Sequence, residues 1–405
     1  MNKVNLRQSA LLFLGALVLN QSCAEKPGGF KIEDTLLKPS AKPSATVIPL
    51  VRASASTAAQ PQASQAPVAT CLPGSTAPSP AAAQAQVDLW PWGAKAAISL
   101  TIDEGLKQPY DILMPEIELR GWRASFYIYT LQPTLEKSWD RVVLAHERGH
   151  EVSNHTHNHP NLTKLSDAEV HNELRTGNAE LRKRLGADFK LQSFAYPYEA
   201  TDARTSAITL QYHRYNRAGD QGAPTPPYPI NDARKPDFGA LKAKAPTSSI
   251  SLSSWNSWTD ATVRAGGWFI EELHGVEDIG VKGGWEPRTI EEFRKHFDHI
   301  ESFGPQIWVA PVVNVGHYIE EREALKVSTT RWEASGAQLL LDDGLTDDDF
   351  VEPLTLLLTL PEGWKGSSAS AVQGGKNLDV RPAGPGQVRI AALPDPSKPV
   401  CLLPR

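Results

Sequence analysis

The chain has 405 residues, more than one compact domain holds at about 100–200 residues each, so two or three units are expected. Its 41 Lys and Arg against 46 Asp and Glu give a net charge of −5 without a block of one sign, which argues against an electrostatic binder of nucleic acid or a polybasic membrane-surface protein. Three cysteines exclude a disulfide scaffold and a multi-cysteine zinc module.

Residues 1–23 read as a secretory signal: Lys3 and Arg7 precede an apolar run from Ser9 to Leu19 that is too short to span a bilayer. Cys23 follows directly, as in a bacterial lipoprotein signal, although Asn20 and Gln21 depart from that pattern. Export is expected, as a secreted protein or as a lipoprotein anchored at Cys23, the only membrane attachment the sequence offers. Residues 24–88 hold no aromatic after Phe30 and are rich in Ala, Pro, Ser and Gln, so they are expected to be a disordered tether. Cys71 in that tether and Cys401 near the end could pair in an oxidising compartment.

From Trp90, where the first of eleven Trp occurs, the pattern turns periodic. Ala96–Ile102 reads as an apolar strand, followed by a helix near residues 110–120, a strand at 124–129 and a helix at 142–148. Ser166 and Glu169 form a capping box ahead of a helix with Val170, Leu174, Leu181 and Leu185 on one face. Strands are expected at 191–196, 249–252 and 268–273, then a second capped helix opened by Thr289 and Glu292, a buried strand at 307–313 and a helix at 315–325. Strands alternating with helices over residues 89–327 predict an α/β domain, a layered sheet or a parallel barrel, with chemistry at the C-terminal strand ends where Asp103 and Glu104 fall. Residues 328–405 carry short strand-like runs at 338–341, 354–360 and 388–391 and predict a small all-β module without chemistry of its own.

Four of the eleven histidines lie between Gly149 and Pro160, a metal signal since neutral imidazole is a common ligand. His146-Glu147-Arg148-Gly149-His150 matches the H-E-x-x-H of zinc peptidases, which requires both histidines on one helical face. Gly149 and the missing histidine at Thr156 weigh against that reading. The alternative draws on His155 and His159 with Asp103 and Glu104.

The second set carries a family resemblance. Thr101-Ile-Asp-Glu-Gly105 resembles the T-F-D-D-G motif of the polysaccharide deacetylases (NodB homology, carbohydrate esterase family 4). Gly149-His-Glu-Val-Ser-Asn-His-Thr-His-Asn-His-Pro160 resembles the family's second motif, Phe194-Ala-Tyr-Pro-Tyr198 its R-x-P-Y, and Leu273-His274 its closing L-H. The four occur in family order across residues 90–325.

The resemblance implies a distorted (β/α) barrel of NodB type and a metal-dependent hydrolase that removes N- or O-acetyl groups from a polysaccharide. Glu104, His155 and His159 would ligate a divalent metal, most simply zinc, although His and carboxylate ligands accept cobalt and nickel equally. Asp103 would be the base, His274 the acid, and the Tyr198 backbone N–H an oxyanion donor, with Pro197, Leu273 and Trp268 beside substrate. Two departures stand out: Glu104 replaces the usual second Asp, and Ala195 replaces the Arg that holds the catalytic Asp. Arg217 could supply the missing guanidinium; without it the chain would be a catalytically weak carbohydrate binder. Trp255, Trp258 and Trp285 fall in Gly/Ser-rich loops, and either sugar stacking or core packing suits them. The implied partner is an acetylated glycan, with no nucleic acid, and the sequence gives no oligomeric state.

Overall fold

The computed structural model describes residues 85–220, 229–278, 283–333, 335–345, 349–364 and 369–404. All of them belong to the unit Ser64–Arg405. The expected signal segment, the tether up to residue 84, Cys23 and Cys71 lie outside the described residues. No described helix is long and apolar enough to cross a membrane.

The elements run β1 (Ala85–Val87), β2 (Ala96–Ile102), α1 (Met114–Leu119), β3 (Ser125–Ile128), α2 (Trp139–Glu147), β4 (Glu151–Asn154), α3 (Asp167–Leu185), β5 (Ser193–Ala195), α4 (Ala203–Thr209) and β6 (Tyr215–Arg217). They continue with α5 (Leu252–Ala265), β7 (Trp268–Leu273), a short parallel pair β8 (Val276–Glu277) and β9 (Arg288–Thr289), α6 (Ile290–Glu301), β10 (Ile307–Val309) and α7 (Val312–Ala324).

β2 is buried along its whole length, as a strand covered on both faces must be. β7 pairs with it in parallel from Ala97 to Ile102, while its other partners, β10 and β3, take opposite ends of the strand. β3, β4, β5 and β6 follow in order, all parallel. Beyond β6, the backbone of Leu241 exchanges hydrogen bonds with Asn216 and Ala218, and Lys244 does so with Ile270 and Glu272. Residues 241–244 thereby join β6 to β7 and close the sheet into a distorted (β/α) barrel, the fold class expected. Leu100, Phe126, Phe269, Trp255 and Phe297 build one apolar cluster, and Trp90, Trp268, Tyr215 and Tyr318 anchor another.

Both capping boxes form. Ser166 Oγ accepts from Glu169 N at 3.4 Å while the Glu169 carboxylate accepts from Ser166 N at 2.8 Å, and Thr289 with Glu292 repeats the arrangement at α6. The expected strand at 249–252 does not form: Ser251 Oγ accepts from Ser254 N at 3.1 Å and caps α5. Trp255 and Trp258, expected in loops, lie three positions apart on the buried face of that helix. The strand expected at 307–313 ends at Val309, because Pro311 breaks the ladder and α7 starts behind it.

The C-terminal part is a two-sheet sandwich. β11 (Lys326–Glu333), β12 (Gly336–Asp342), β14 (Ala369–Gln373), β15 (Lys376–Leu378) and β18 (Val400–Pro404) form one sheet; β13 (Leu354–Thr359), β16 (Val380–Gly384) and β17 (Gln387–Ala392) form the other. Leu339, Leu356, Leu358, Ile390 and Leu402 fill the space between. The second sheet is completed by β1, which pairs antiparallel with Leu356–Leu358. Residues 85–87, expected as the end of the tether, are therefore a structural strand. Cys401, on β18, is disulfide-bonded.

Candidate active site

The C-terminal ends of the barrel strands meet at a cleft of about 340 Å³. β2 delivers Asp103 and Glu104, β4 delivers His155 and His159, β5 delivers Tyr198 and Glu199, and β7 delivers Glu272 and His274. This is the end at which parallel barrels place their chemistry, since the strand-to-helix loops there are free to vary. Four residues of the cleft hold left-handed backbone without being glycine, Glu104 (φ 75°), His159 (φ 60°), Tyr198 (φ 60°) and Glu199 (φ 56°), and so does Thr156 (φ 72°), next to His155 in the chain. Strain of this kind persists only where surrounding contacts enforce it, and it gathers at functional sites.

Asp103 is the centre of the cleft. Its backbone N–H donates to Leu273 O at 2.9 Å, fixing it to β7. Arg217, at the end of β6 and fully buried, donates to Asp103 Oδ2 and, through its other terminal nitrogen, to Glu272 Oε2. A planar guanidinium can hold two carboxylates at once, which an ammonium cannot. His274 Nε2 lies 3.8 Å from Asp103 Oδ2 and 3.7 Å from Glu272 Oε1, and His155 Nε2 lies 3.7 Å from Asp103 Oδ2.

Burial raises the Asp103 carboxyl to about 7, with Arg217 pulling down and Glu104 pushing up. Burial drives Glu272 well above the usual range against the pull of Arg217, and lifts Glu199 in the same way. Burial, with Arg217 and His159 adding to it, lowers His274 to about 3, so its imidazole is neutral in the free cleft.

The two remaining histidines are set for a cation. His155 Nδ1 lies 2.7 Å from Ala195 O, and a carbonyl can only accept, so Nδ1 carries the hydrogen and Nε2 presents its lone pair. That Nε2 faces His159 Nε2 at 3.1 Å. Burial keeps both rings neutral, His155 most strongly. Asp103 Oδ1 is buried with no hydrogen-bond partner among the described residues. Two neutral imidazoles whose Nε2 atoms converge at 3.1 Å, with the Glu104 carboxylate lining the same cleft, are a donor set that suits a divalent cation. Among the described residues, the acids and imidazoles whose ligand atoms lie mutually within 4.8 Å are instead Asp103, Glu272 and His274. Arg217 already donates to both carboxylates there, so that trio has less need of a metal.

Helix α3 holds the histidine loop. Glu173 accepts from the backbone N–H of His157 and Asn158 at 3.1 and 2.8 Å. Asn154 donates to Leu174 O and Asn178 Oδ1 and accepts from Thr156 N at 2.6 Å. Thr156 Oγ1 then accepts from His159 N at 2.9 Å. His157 points elsewhere, bonded to Thr130 Oγ1 at 2.8 Å.

Several expected residues stand away from the cleft. Trp268 begins β7, at the opposite end of the strand from His274; its indole is buried and donates to Ser99 Oγ at 3.0 Å, so it packs the core and does not touch substrate. Pro197 and the Leu273 side chain are buried and do not line the cleft. The peptidase motif is broken: α2 ends at Glu147 and Gly149 takes φ 84°, so His146 and His150 share no helical face. His150 instead accepts from Ala124 N at 3.1 Å and meets Glu118 at 3.2 Å. Glu272 and Glu199 were not expected. The signal for Glu272 was present in Trp-Phe-Ile-Glu-Glu-Leu: two acids inside a buried strand must each find a partner, on opposite faces. Glu271 faces outward to His296 at 2.8 Å, and Glu272 faces inward to Arg217.

The chain is 23% identical over 343 residues to a gellan lyase from Bacillus sp., a match covering 78% of this chain and 13% of that protein, so the chain spans only a small part of that relative's length. The Xyl-CE4 domain of a multidomain xylanase from the hindgut metagenome of Trinervitermes trinervoides is 15% identical, with a TM-score of 0.37 over 54% of this chain and 89% of that one. A family 4 carbohydrate esterase from Bacillus subtilis is 13% identical, with a TM-score of 0.38 over 55% and 80%. Residues 93–215 match the family model described as polysaccharide deacetylase.

Proposed function

We propose that the chain is a hydrolase that removes acetyl groups from a polysaccharide, with Asp103 as base and His274 as acid. The observation that carries this reading is the placement of those two side chains 3.8 Å apart at the C-terminal end of the barrel, over a buried Arg217 that holds Asp103 in position. Glu104, His155 and His159 would hold a divalent metal, zinc in the simplest case, which when bound polarises a carbonyl and acidifies water.

The chain's own residues then do the following. Arg217 holds the Asp103 carboxylate in position, where it would take a proton from the attacking water. His274 is neutral before reaction; negative charge developing beside it raises its proton affinity, so it can take up the proton that Asp103 removed from the water and pass it to the departing amine or sugar hydroxyl, which leaves Asp103 ionised again. The Tyr198 backbone N–H, turned by its left-handed conformation, would donate to the developing oxyanion. Arg217 comes from β6 instead of β5, so Ala195 need not cost the chain its activity. The same reading takes the protein as exported, secreted or held by lipid on Cys23.

The test is acetate release from a panel of acetylated glycans. Asp103→Asn should lower the rate by roughly 10²-fold or more while the metal content, read by elemental analysis, is unchanged. Chelator should abolish release by the native chain, and zinc should restore it. Undiminished release by Asp103→Asn would sink the assignment.

A further inference from the structure

One sheet of the sandwich is buried on its outer side as well as its inner one. Ala337, Leu339, Ala371, Val400 and Leu402 point into the sandwich core. Side chains alternate along a strand, so Gln338 on β12, Cys401 on β18 and Val372 on β14 point the opposite way. The register sets these three in one row across the sheet. The outer face of an antiparallel sheet ordinarily meets water and carries polar residues. Here Cys401 and Val372 are each only 3% exposed. The Gln338 side-chain amide donates to Cys401 Sγ at 3.8 Å.

Cys401 is disulfide-bonded, and the chain has three cysteines, so its partner within the chain is Cys23 or Cys71. Both precede β1, which starts at Ala85 and belongs to the other sheet. Cys71 lies 14 positions before Ala85. That span reaches up to about 45 Å when extended. The way round the sandwich edge is shorter, at about 10 Å between sheets and about 4.8 Å for each strand crossed. Cys23 lies 62 positions before Ala85. Closure becomes rarer as about the 3/2 power of chain length, which favours Cys71 roughly ninefold. Cys23 also stands at the expected end of the export signal, where lipid attachment would consume its thiol.

We propose that Cys71 is the partner of Cys401, and that the chain around residue 71 straps the outer face of this sheet before β1 completes the other one. The N-terminal arm then grips the sandwich on both sheets, and the free span of the tether ends before residue 71. Forming the bond takes two protons and two electrons from the two thiols. A protein disulfide of the oxidising export compartment accepts them and is reduced to a dithiol. The ring so closed contains every element from β1 to β18, so the bond restricts the unfolded chain as a whole. The inference stands apart from the deacetylase reading, because the bond is read without any substrate.

The test is peptide mapping of the exported full chain, digested with trypsin without reductant. No Lys or Arg lies between Arg52 and Lys95, and Pro399 protects the bond after Lys398, so the disulfide would join peptides 53–95 and 390–405. That linked mass should be the main form of both peptides, split on reduction, and persist in Cys23→Ser. In Cys71→Ser, Cys401 should take up a maleimide without denaturant, since the strap over it is released. Peptide 390–405 joined to the peptide that holds Cys23, or to its own copy from a second chain, would overturn the proposal. So would free thiols at both positions in the exported chain, or a Cys401 that stays unreactive in Cys71→Ser until urea is added. The linked mass found in a chain that releases no acetate from any glycan would uphold the strap and remove only the deacetylase reading.

Discussion

Arg217 is the residue on which the cleft's electrostatics turn. Asp103 and Glu272 are both buried, and two such carboxylates side by side would be pushed toward the neutral form without a cation between them. The guanidinium satisfies both, so removing it costs more than one ion pair. Arg217→Met should lower stability by about 3–5 kcal/mol, as breaking a buried pair does when charges are left behind. Arg217→Lys keeps the charge but reaches one carboxylate at a time. It should fold, with kcat down by roughly 10–100-fold, the usual cost of losing a group that orients another. Urea unfolding and acetate release measure the two effects separately, and a Lys variant at the native rate would show that Asp103 needs no fork to hold it. The sequence showed Arg217 as a candidate replacement for the missing Arg at position 195, but not its second partner. Asp103 and Glu272 are far apart along the chain, and only closure of the barrel brings them to one guanidinium.

At the scale of elements, helix α3 is the part of the fold that shapes the histidine loop. Its capping box and apolar stripe were legible, because both depend on neighbours within four residues. Its role was not: Gly177 and Asn178 read as ordinary helix positions, although with Glu173 they support the loop from below. Gly177 is the sharpest case. A Cβ there would lie 2.6 Å from Asn154 Oδ1, the atom that accepts from Thr156 N. Helix propensity alone favours Gly177→Ala by about 1 kcal/mol. Displacing Asn154 breaks three hydrogen bonds worth about 1 kcal/mol each. The clash should win: Gly177→Ala is expected to be destabilised by ~1–2 kcal/mol in urea, with a several-fold loss of acetate release from a site it does not touch. A variant more stable than the native chain and fully active would mean that Asn154 relaxes without cost. The elements misread from sequence share another cause. Ser-Ile-Ser-Leu alternates like a strand, but Ser251 is a cap. The closing segment 241–244 alternates only Leu241 and Ala243 with two lysines, too short a pattern to read as a strand, although both apolar side chains are buried in the core.

At the scale of the molecule, barrel and sandwich share one stretch of chain. β1 completes a sandwich sheet, and within a few residues the chain reaches Trp90, a core residue of the barrel whose indole donates to Gly266 O at 3.1 Å. Asp88 joins both: its N–H donates to Thr355 O at 2.8 Å, its carboxylate accepts from Arg389 at 2.7 Å, and its carbonyl accepts from Tyr318 at 3.0 Å. Leu354, at the start of β13, is buried in the barrel-side cluster with Trp90 and Tyr318. Neither part can unfold without exposing apolar surface of the other, so the described unit should unfold as one cooperative step. Urea transitions followed by tryptophan fluorescence and by far-ultraviolet circular dichroism should coincide. Arg389→Ala removes a partly exposed ion pair, worth roughly 1 kcal/mol after solvent screening, and should shift both curves together. If the sandwich were an independent module, the curves would separate and Arg389→Ala would move only one of them. The same coupling predicts that a chain ended after Ala324 loses stability in the barrel as well, since β1, Asp88 and Trp90 would then lack the strands they pack against.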